Sequence, residues 1–424
     1  MSKNYSKETL CIRGGYNPQP GEPISLPITQ STTYKYQDPD HVADLFDLKQ
    51  EGHIYTRISN PTVEAFEKKL TSLEGGSGAV AVSSGQSAIL LAVLNICKGG
   101  HNIISSSSLY GGTYNLFNTT LRNLGIETRF VNQDASEEEI LALADENTRL
   151  VFGEILSNPG LSVLDFEKFS SISKKLQVPL VIDSTIATPY LCNPFKFGAN
   201  IVVHSTSKYI DGHATALGGA IVDGGNFDWE NGKFKELVEP DPSYHGIQYV
   251  EKFGNAAYIT KLRVTLLRDL GSCMSPFNAF LSNQGLETLH LRMERHSQNA
   301  LKLANYLENH EKVSWVNYPQ SDKYLTKGAS GILTFGIKGG VEEAKQFIKS
   351  LELVDLAVHL GFNKTAVLHP ASTTHRQLEE ADQIKCGVTR DLIRVTVGIE
   401  GIEDIINDFE NALEKIEVLQ NELV

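Results

Sequence analysis

The sequence predicts an α/β protein of two domains, a mainly parallel, doubly wound sheet domain followed by a smaller α+β domain. Three observations carry this. The chain has 424 residues, too many for one small core. From Pro61 onward, short apolar runs alternate with stretches of helical periodicity. Most of those runs are nearly continuous, as strands covered on both faces must be, rather than alternating.

Residues 1–60 lack regular periodicity and are rich in Pro, Gly, Thr and Tyr, so they read as an arm that buries little by itself. Residues 61–285 form the sheet domain. It opens with an amphipathic helix (Val63, Phe66, Leu70, Leu73) that should end before Gly75-Gly76. Strands are expected at Ala79-Val82, Asn102-Ile104, Ile126-Val131, Leu150-Ile155, Leu180-Ile182, Ile201-Val203 and Ala220-Val222. Asn226 to Tyr249, polar with interspersed aromatics and Pro, reads as a long surface loop. Residues 286–424 form the α+β domain, with a helix over Leu286–His310, strands at Ile332-Ile337 and Leu392-Val397, and a closing helix near Ile402–Leu419.

Composition narrows the function. A net charge of −13 argues against a nucleic-acid partner or a membrane surface, both of which reward a basic face. Cys11, Cys97, Cys192, Cys273 and Cys386 are scattered and odd in number, which reads as idle thiols in a reducing compartment. The opening residues Met1 to Glu8 are polar and no apolar run reaches membrane length, so a cytoplasmic protein is expected.

Ligands of open parallel sheets bind beyond the carboxyl ends of the strands. Distinctive polar residues follow five of these strands at that end: Ser84-Gly85-Gln86-Ser87, Ser105 to Gly112, Ser157-Asn158-Pro159-Gly160, Asp183, and His204-Ser205-Thr206-Ser207-Lys208. Five separate strands contributing in this way imply a built pocket. Free amides at the start of the helix after Ser84, with Gly85 allowing close approach, favour a phosphate, to which Ser205 and Ser207 could add hydroxyls. An ordinary serine-capped turn is the alternative for that segment taken alone. Asp183 could pair with a protonated ring nitrogen, or simply cap a turn. Lys208 follows an apolar strand with no acid beside it; a desolvated lysine near a phosphate can lose its proton and attack a carbonyl. Tyr110, beside Gly111-Gly112, could lie on an aromatic ring or move protons. Dinucleotide, nucleotide-triphosphate and H-E-x-x-H zinc motifs are missing, and Gly75-Gly76-Ser77-Gly78-Ala79 narrowly misses the hydrolase nucleophile elbow. His369 with His375, and His290 with His296, read as structural rather than as metal ligands, and no metal is expected.

In this order the residues resemble the Cys/Met-metabolism family of fold-type-I pyridoxal-phosphate enzymes, over nearly the whole chain. The most specific match is His204-Ser-Thr-Ser-Lys-Tyr-Ile-Asp-Gly-His213; Tyr55-Thr-Arg-Ile-Ser-Asn-Pro-Thr62 is similarly distinctive. The resemblance implies that Lys208 carries pyridoxal 5'-phosphate as a Schiff base. It implies that Gly85, Gln86, Ser205 and Ser207 bind its phosphate, that Tyr110 stacks on its ring, and that Asp183 holds its ring nitrogen. Tyr55 and Arg57 would reach the phosphate of a neighbouring subunit, so that the arm packs on a partner in a homodimer, usually paired into a tetramer. Arg394, with Asn158 and the backbone around Thr365, would clamp the substrate α-carboxylate.

Within the family, Asn363-Lys-Thr365, His369-Pro-Ala-Ser-Thr-Thr-His375 and Glu239-Pro-Asp-Pro-Ser-Tyr-His-Gly246 resemble the sulfhydrylase branch. Gly112 stands where methionine γ-lyases typically have cysteine, while Ser184 and Phe362-Asn363 depart from the usual Asn and Asp-Ala. The implied reaction is γ-replacement on O-acetylhomoserine by sulfide or methanethiol, with Lys208 and Tyr110 moving protons. A γ-synthase or γ-lyase on the same scaffold, or a non-catalytic relative, are the alternatives.

Overall fold

The computed structural model describes residues 5–319, 322–374, 376, 379, 383 and 387–416. His375, Cys386 and the expected end of the last helix, beyond residue 416, lie outside the described residues.

The arm is more structured than its composition suggests. Helix α1 (Lys7–Arg13) is capped by Ser6 and buries Cys11 in the main core, and α2 (Pro39–Phe46) starts from Asp38 with Pro at its first position. Lys7 pins α1 to the chain's own body by donating to the carbonyls of Leu73 (2.6 Å) and Pro189 (2.5 Å). The first turns of the arm therefore pack on the chain's own body; between α1 and Asn60 Leu45 is buried, while Ile24, Phe46 and Tyr55 are exposed. Helices of seven and eight residues with one buried position each leave too short a periodic trace to be read from sequence.

Helix α3 (Pro61–Glu74) follows, capped by Asn60 and stopped by Gly75, whose φ of 76° is the left-handed C-terminal conformation that glycine adopts without cost. Then come β1 (Gly78–Val82), α4 (Gly85–Leu94), β2 (Asn102–Ser106), α5 (Gly111–Asn115), β3 (Glu127–Val131), β4 (Thr148–Glu154), β5 (Leu180–Asp183), β6 (Ile201–His204) and β7 (Gly219–Asp223). All seven expected strands are present, and they form one sheet in the order β1-β7-β6-β5-β4-β2-β3. Neighbours from β6 through β3 are parallel, whereas β7 runs antiparallel to both β1 and β6. A parallel return needs a crossover, usually helical, and the segment between β6 and β7 has none; it turns back on the same side of the sheet.

The stretch 226–249 is not a plain surface loop. Trp229, Phe234, Leu237, Tyr244 and Tyr249 are buried, with Trp229 stacked on Tyr258 at 5.2 Å, so its aromatics anchor it to the core. Their spacing follows neither helical nor strand period, which hides the burial from a sequence reading.

The second sheet, β10-β11-β12-β9-β8, comprises β8 (Val313–Asn317), β9 (Ile332–Ile337), β10 (Asp355–Leu356), β11 (Ala366–Leu368) and β12 (Leu392–Thr396). Its apolar cluster gathers Leu333, Phe335, Phe347, Ile393, Val395 and Phe409. The long helix Leu289–Glu308 serves both cores: Leu289 and Met293 join the first, Ala300, Leu303 and Leu307 the second. On β12 the alternation of side chains matters for function. Ile393 and Val395 enter the core, so Arg394 and Thr396 face the other way, Arg394 toward Asn158 after β4 and Thr396 toward the Gly361 amide. Among the described residues no helix is long and apolar enough to cross a membrane.

Candidate active site

The loop after β6 carries Lys208, and three buried groups hold it. His204, the last residue of β6, meets Glu74 at the end of α3 with Nε2 to Oε1 at 2.7 Å, both side chains fully buried. Arg292 donates to the carbonyls of Tyr209 (2.7 Å) and Gly285 (2.6 Å). Asp211 accepts from Thr215 through both its amide (2.9 Å) and its hydroxyl (2.9 Å). The lysine emerges half-buried from this braced turn, its Nζ 3.1 Å from His359 Nδ1. Burial, aided by the Arg394 charge, pushes its pKa down to about 8. Burial and the Lys208 charge likewise push His359 down to about 4, so the imidazole is neutral and Lys208 is the donor.

Arg394 reaches the same place from β12. Its Nη1 donates to Asn158 Oδ1 (3.3 Å) and its Nη2 to the His359 carbonyl (3.1 Å), while Nε is buried without a partner among the described residues. An unpaired buried donor costs about 1–3 kcal/mol, which an incoming carboxylate would relieve. Desolvation lowers this guanidinium to about 10 without neutralising it. Arg394 and Asn158 thus come together as the sequence reading expects. Thr365 does not join them. Its amide and hydroxyl donate to Glu400 (2.6 and 2.9 Å), its hydroxyl accepts from Gly398, and its carbonyl accepts from Asp355. With every polar atom engaged it has nothing left for a substrate, so its work is to tie the strand ends together.

The turn from β1 into α4 is suited to an anion. Ser84 caps Ser87, and the amides of Gly85 and Gln86 have no acceptor among the described residues. A Cβ on Gly85 would stand 2.6 Å from Ser205 Cβ, so glycine is what lets this turn touch the loop of Lys208. The Ser205 amide donates to Thr185 and its hydroxyl has no partner among the described residues, whereas the Ser207 hydroxyl already donates to Gly218 O (3.1 Å) and accepts from Gly218 N (2.9 Å). The Gln86 side chain leans on Thr113 at 3.5 Å, leaving its backbone amide as the anion donor. Tyr55 and Arg57 stand apart from this cradle: Tyr55 is exposed, and Arg57 lies over its ring and donates to Arg268 O.

Between these groups sit Asp183 and Tyr110. Asp183 ends β5 and accepts from the Thr185 amide at 2.8 Å. Beside it in the sheet register stands Glu154, which accepts the Tyr110 amide at 2.8 Å. Burial raises both carboxyls, and the nearness of Asp183 raises Glu154 further. Tyr110 is 51% exposed, its ring open to the mouth of the sheet. A Cβ on Gly112 would fall 2.5 Å from Tyr110 Cε1, so a side chain there, cysteine included, would displace the ring.

His359, Glu154, Arg292 and Glu74 escaped the sequence reading. Glu154 left a trace, a carboxylate closing a buried apolar run; His359 left none, standing 151 residues from Lys208. His296 and His369 spend ring nitrogens on Val397 O (2.7 Å) and Arg390 O (2.8 Å). Among the described residues no three His, Cys, Asp or Glu side chains converge as a metal site. A cavity of about 470 Å³ between Leu94–His101, Lys235–Pro242 and Lys261–Leu266 includes none of the site residues.

A lysine with a lowered pKa, two free amides at a helix start and a buried carboxyl near the same sheet mouth are the donor set that a phosphorylated, ring-bearing aldehyde requires. Proteins that hold such a cofactor on a lysine form a broad class of enzymes. The chain belongs to the Cys/Met metabolism PLP-dependent enzyme family, whose profile it matches over residues 8–414. It is 49% identical to an O-acetyl-L-homoserine sulfhydrylase of Leptospira meyeri, with 98% of each chain covered. It is 47% identical to a homocysteine synthase of Schizosaccharomyces pombe, covering 96% of this chain and 98% of the other. Its fold matches that of a Campylobacter jejuni protein described as O-acetylhomoserine (thiol)-lyase and solved with N'-pyridoxyl-lysine-5'-monophosphate. That match has a TM-score of 0.93 at 40% identity and covers 97% of this chain and all of that one.

Proposed function

We propose that this enzyme converts O-acetylhomoserine and sulfide (or methanethiol) into homocysteine (or methionine) and acetate. The observation that carries the reading is the Lys208 amine, braced at the sheet mouth and facing the Arg394–Asn158 pair. It puts a proton-accepting nitrogen beside a carboxylate clamp. Relatives described as sulfhydrylases and homocysteine synthases support the choice of substrate.

Bound at this site, pyridoxal 5'-phosphate supplies an aldehyde for condensation with amines and a ring that absorbs negative charge from the substrate α-carbon. The Gly85 and Gln86 amides with the Ser205 hydroxyl would hold its phosphate; Ser207 would join only by giving up Gly218. Asp183 would face the ring nitrogen, and a cationic partner there would offset the burial that now raises its carboxyl. Tyr110, fixed by Glu154, would cover the ring face. Arg394 and Asn158 would grip the α-carboxylate and so set the α-hydrogen toward Lys208 Nζ, which removes it and later returns it. Tyr110 Oη is the candidate to move a proton at the β-carbon as acetate leaves the γ-carbon.

The test is a panel of donor esters and sulfur acceptors read by mass spectrometry. Homocysteine and acetate from O-acetylhomoserine and sulfide support the reading; cystathionine from added cysteine, or 2-oxobutanoate, as the main product would replace it with a γ-synthase or γ-lyase. The same proposal makes the protein a homodimer, paired into a tetramer, with Tyr55 and Arg57 serving the partner's phosphate. Arg57→Ala should then weaken cofactor binding without touching the residues of its own cradle. The cytoplasm is the proposed location, supported by the free thiols of Cys11, Cys97, Cys192 and Cys273.

A further inference from the structure

We infer that His359 is a positioning residue that aims the Lys208 amine and fixes its distance from Arg394. The inference rests on Lys208 being the cofactor lysine. His359 serves both working groups at once. Its Nδ1 accepts from Lys208 Nζ at 3.1 Å, and its backbone carbonyl accepts from Arg394 Nη2 at 3.1 Å. Those two side chains must act on adjacent bonds of one substrate, the amine at the α-hydrogen and the guanidinium at the α-carboxylate. A single residue bonded to both sets their spacing.

The geometry also constrains the nitrogen itself. An amine otherwise turns freely about its last carbon–nitrogen bond. Once one N–H is spent on Nδ1, the lone pair of the neutral amine must point elsewhere, at a tetrahedral angle from His359. Because Nδ1 accepts, the ring hydrogen is on Nε2, which is buried with no partner among the described residues.

Surrounding contacts keep the residue in place. The Gly361 amide donates to Thr396 Oγ1 (3.1 Å) and the Asn363 amide to Gly212 O (3.0 Å), so the segment is stitched to β12 on one side and to the Lys208 loop on the other. Gly361 has φ 76°, and a Cβ there would lie 2.8 Å from the Tyr209 nitrogen. The buried ring of Phe362, one of the residues that depart from the family pattern, packs 5.3 Å from the imidazole.

Storing the lysine's proton is not the task the surroundings favour. Lys208 and Arg394 present positive charge to the ring, opposed by Asp211 and the Ser207 backbone, and with burial this leaves His359 neutral down to about pH 4. It stays an acceptor throughout the range in which an enzyme of this kind works.

The experiment compares His359→Asn, His359→Gln and His359→Leu. Asparagine places an acceptor oxygen where Nδ1 sits; glutamine places its amide nearer Nε2; leucine offers no acceptor. Acetic anhydride labelling of the apoprotein across pH, quantified on the Lys208 peptide, reports the amine's pKa and reactivity without cofactor. Leucine and glutamine should lower the Lys208 pKa, because the ammonium loses its acceptor, and reduce kcat about ten- to a hundredfold. Asparagine should recover most of both losses. The inference is overturned if leucine matches wild type in amine pKa and kcat, or if folded asparagine and leucine variants are equally impaired. Should the leucine variant not fold, the asparagine–glutamine contrast decides alone. Borohydride reduction with peptide mapping keeps the two levels apart: an adduct away from Lys208 in the wild-type holoenzyme defeats the functional reading itself, whereas an adduct on Lys208 in all variants leaves only the role of His359 in question.

Discussion

Replacing Arg394 by lysine keeps the positive charge on β12 and removes the fork. In the wild type two guanidinium nitrogens are committed, Nη1 to Asn158 Oδ1 at 3.3 Å and Nη2 to the His359 carbonyl at 3.1 Å, and Nε has no partner among the described residues. An ammonium is a point donor on a shorter reach and cannot hold both partners and a carboxylate in one plane. At least one charge-assisted hydrogen bond to the substrate is lost, worth about 1.5–3 kcal/mol, which is roughly 10- to 150-fold in kcat/KM. The assay is steady-state turnover of O-acetylhomoserine by wild type and Arg394→Lys, each repeated with the α-carboxamide analogue. The variant should lose its deficit on the amide, because the group that Arg394 is proposed to grip is gone. Equal deficits on acid and amide, in variants of matched thermal stability, would refute the clamp and leave Arg394 as a structural cation.

Three further outcomes are expected. Gly85→Ala forces the β1–α4 turn off Ser205, since the new Cβ would stand 2.6 Å from Ser205 Cβ; overpacking of this kind costs about 1–3 kcal/mol, and spectrophotometric titration should show pyridoxal 5'-phosphate bound about tenfold or more weakly. Lys208 of the apoprotein should label half-maximally near pH 8 and not near its ordinary 10.5, protonated and inert below that midpoint and nucleophilic above it; Arg394→Met, by deleting a like charge, should move the midpoint up. Between those two pH values an unfolded lysine holds a proton that the folded one has released, so this residue adds stability as pH rises through that window. Glu154→Gln keeps an acceptor for the Tyr110 amide and removes a carboxyl that burial disfavours, so chemical denaturation should show it within about 1 kcal/mol of wild type, while Glu154→Ala strands that amide and should cost about 1–3 kcal/mol.

Much of the fold was open to a linear reading because its signals are local. Most strands of the first sheet are short apolar runs that need no distant information to be recognised, β3 (Glu127–Val131) being the polar exception, and Asn60-Pro61 with Gly75 brackets α3 by capping rules alone. Chemistry that recurs at strand ends was equally legible, since a sheet places every C-terminal turn along one edge. This is why Lys208, Asp183, Tyr110 and the Gly85 turn stand out as candidates in the sequence itself.

What remained hidden depends on contacts across long sequence separations. The reversal of β7 follows from a loop that fails to cross the sheet, and no residue within the strand encodes it. Thr365 lies in a segment matched to the right motif, yet Glu400, from the far side of β12, takes up its hydrogen-bonding groups. His359 stands in an unremarked run of mixed polarity and becomes a partner of Lys208 only when the second sheet packs near the mouth of the first. From its order of residues alone the chain declared a doubly wound sheet, a lysine after its sixth strand and a glycine turn after its first, because each is written in neighbouring positions. Which groups surround that lysine, which way its amine points and which carboxyls lose their water were decided by packing, because burial and distance exist only once remote segments meet.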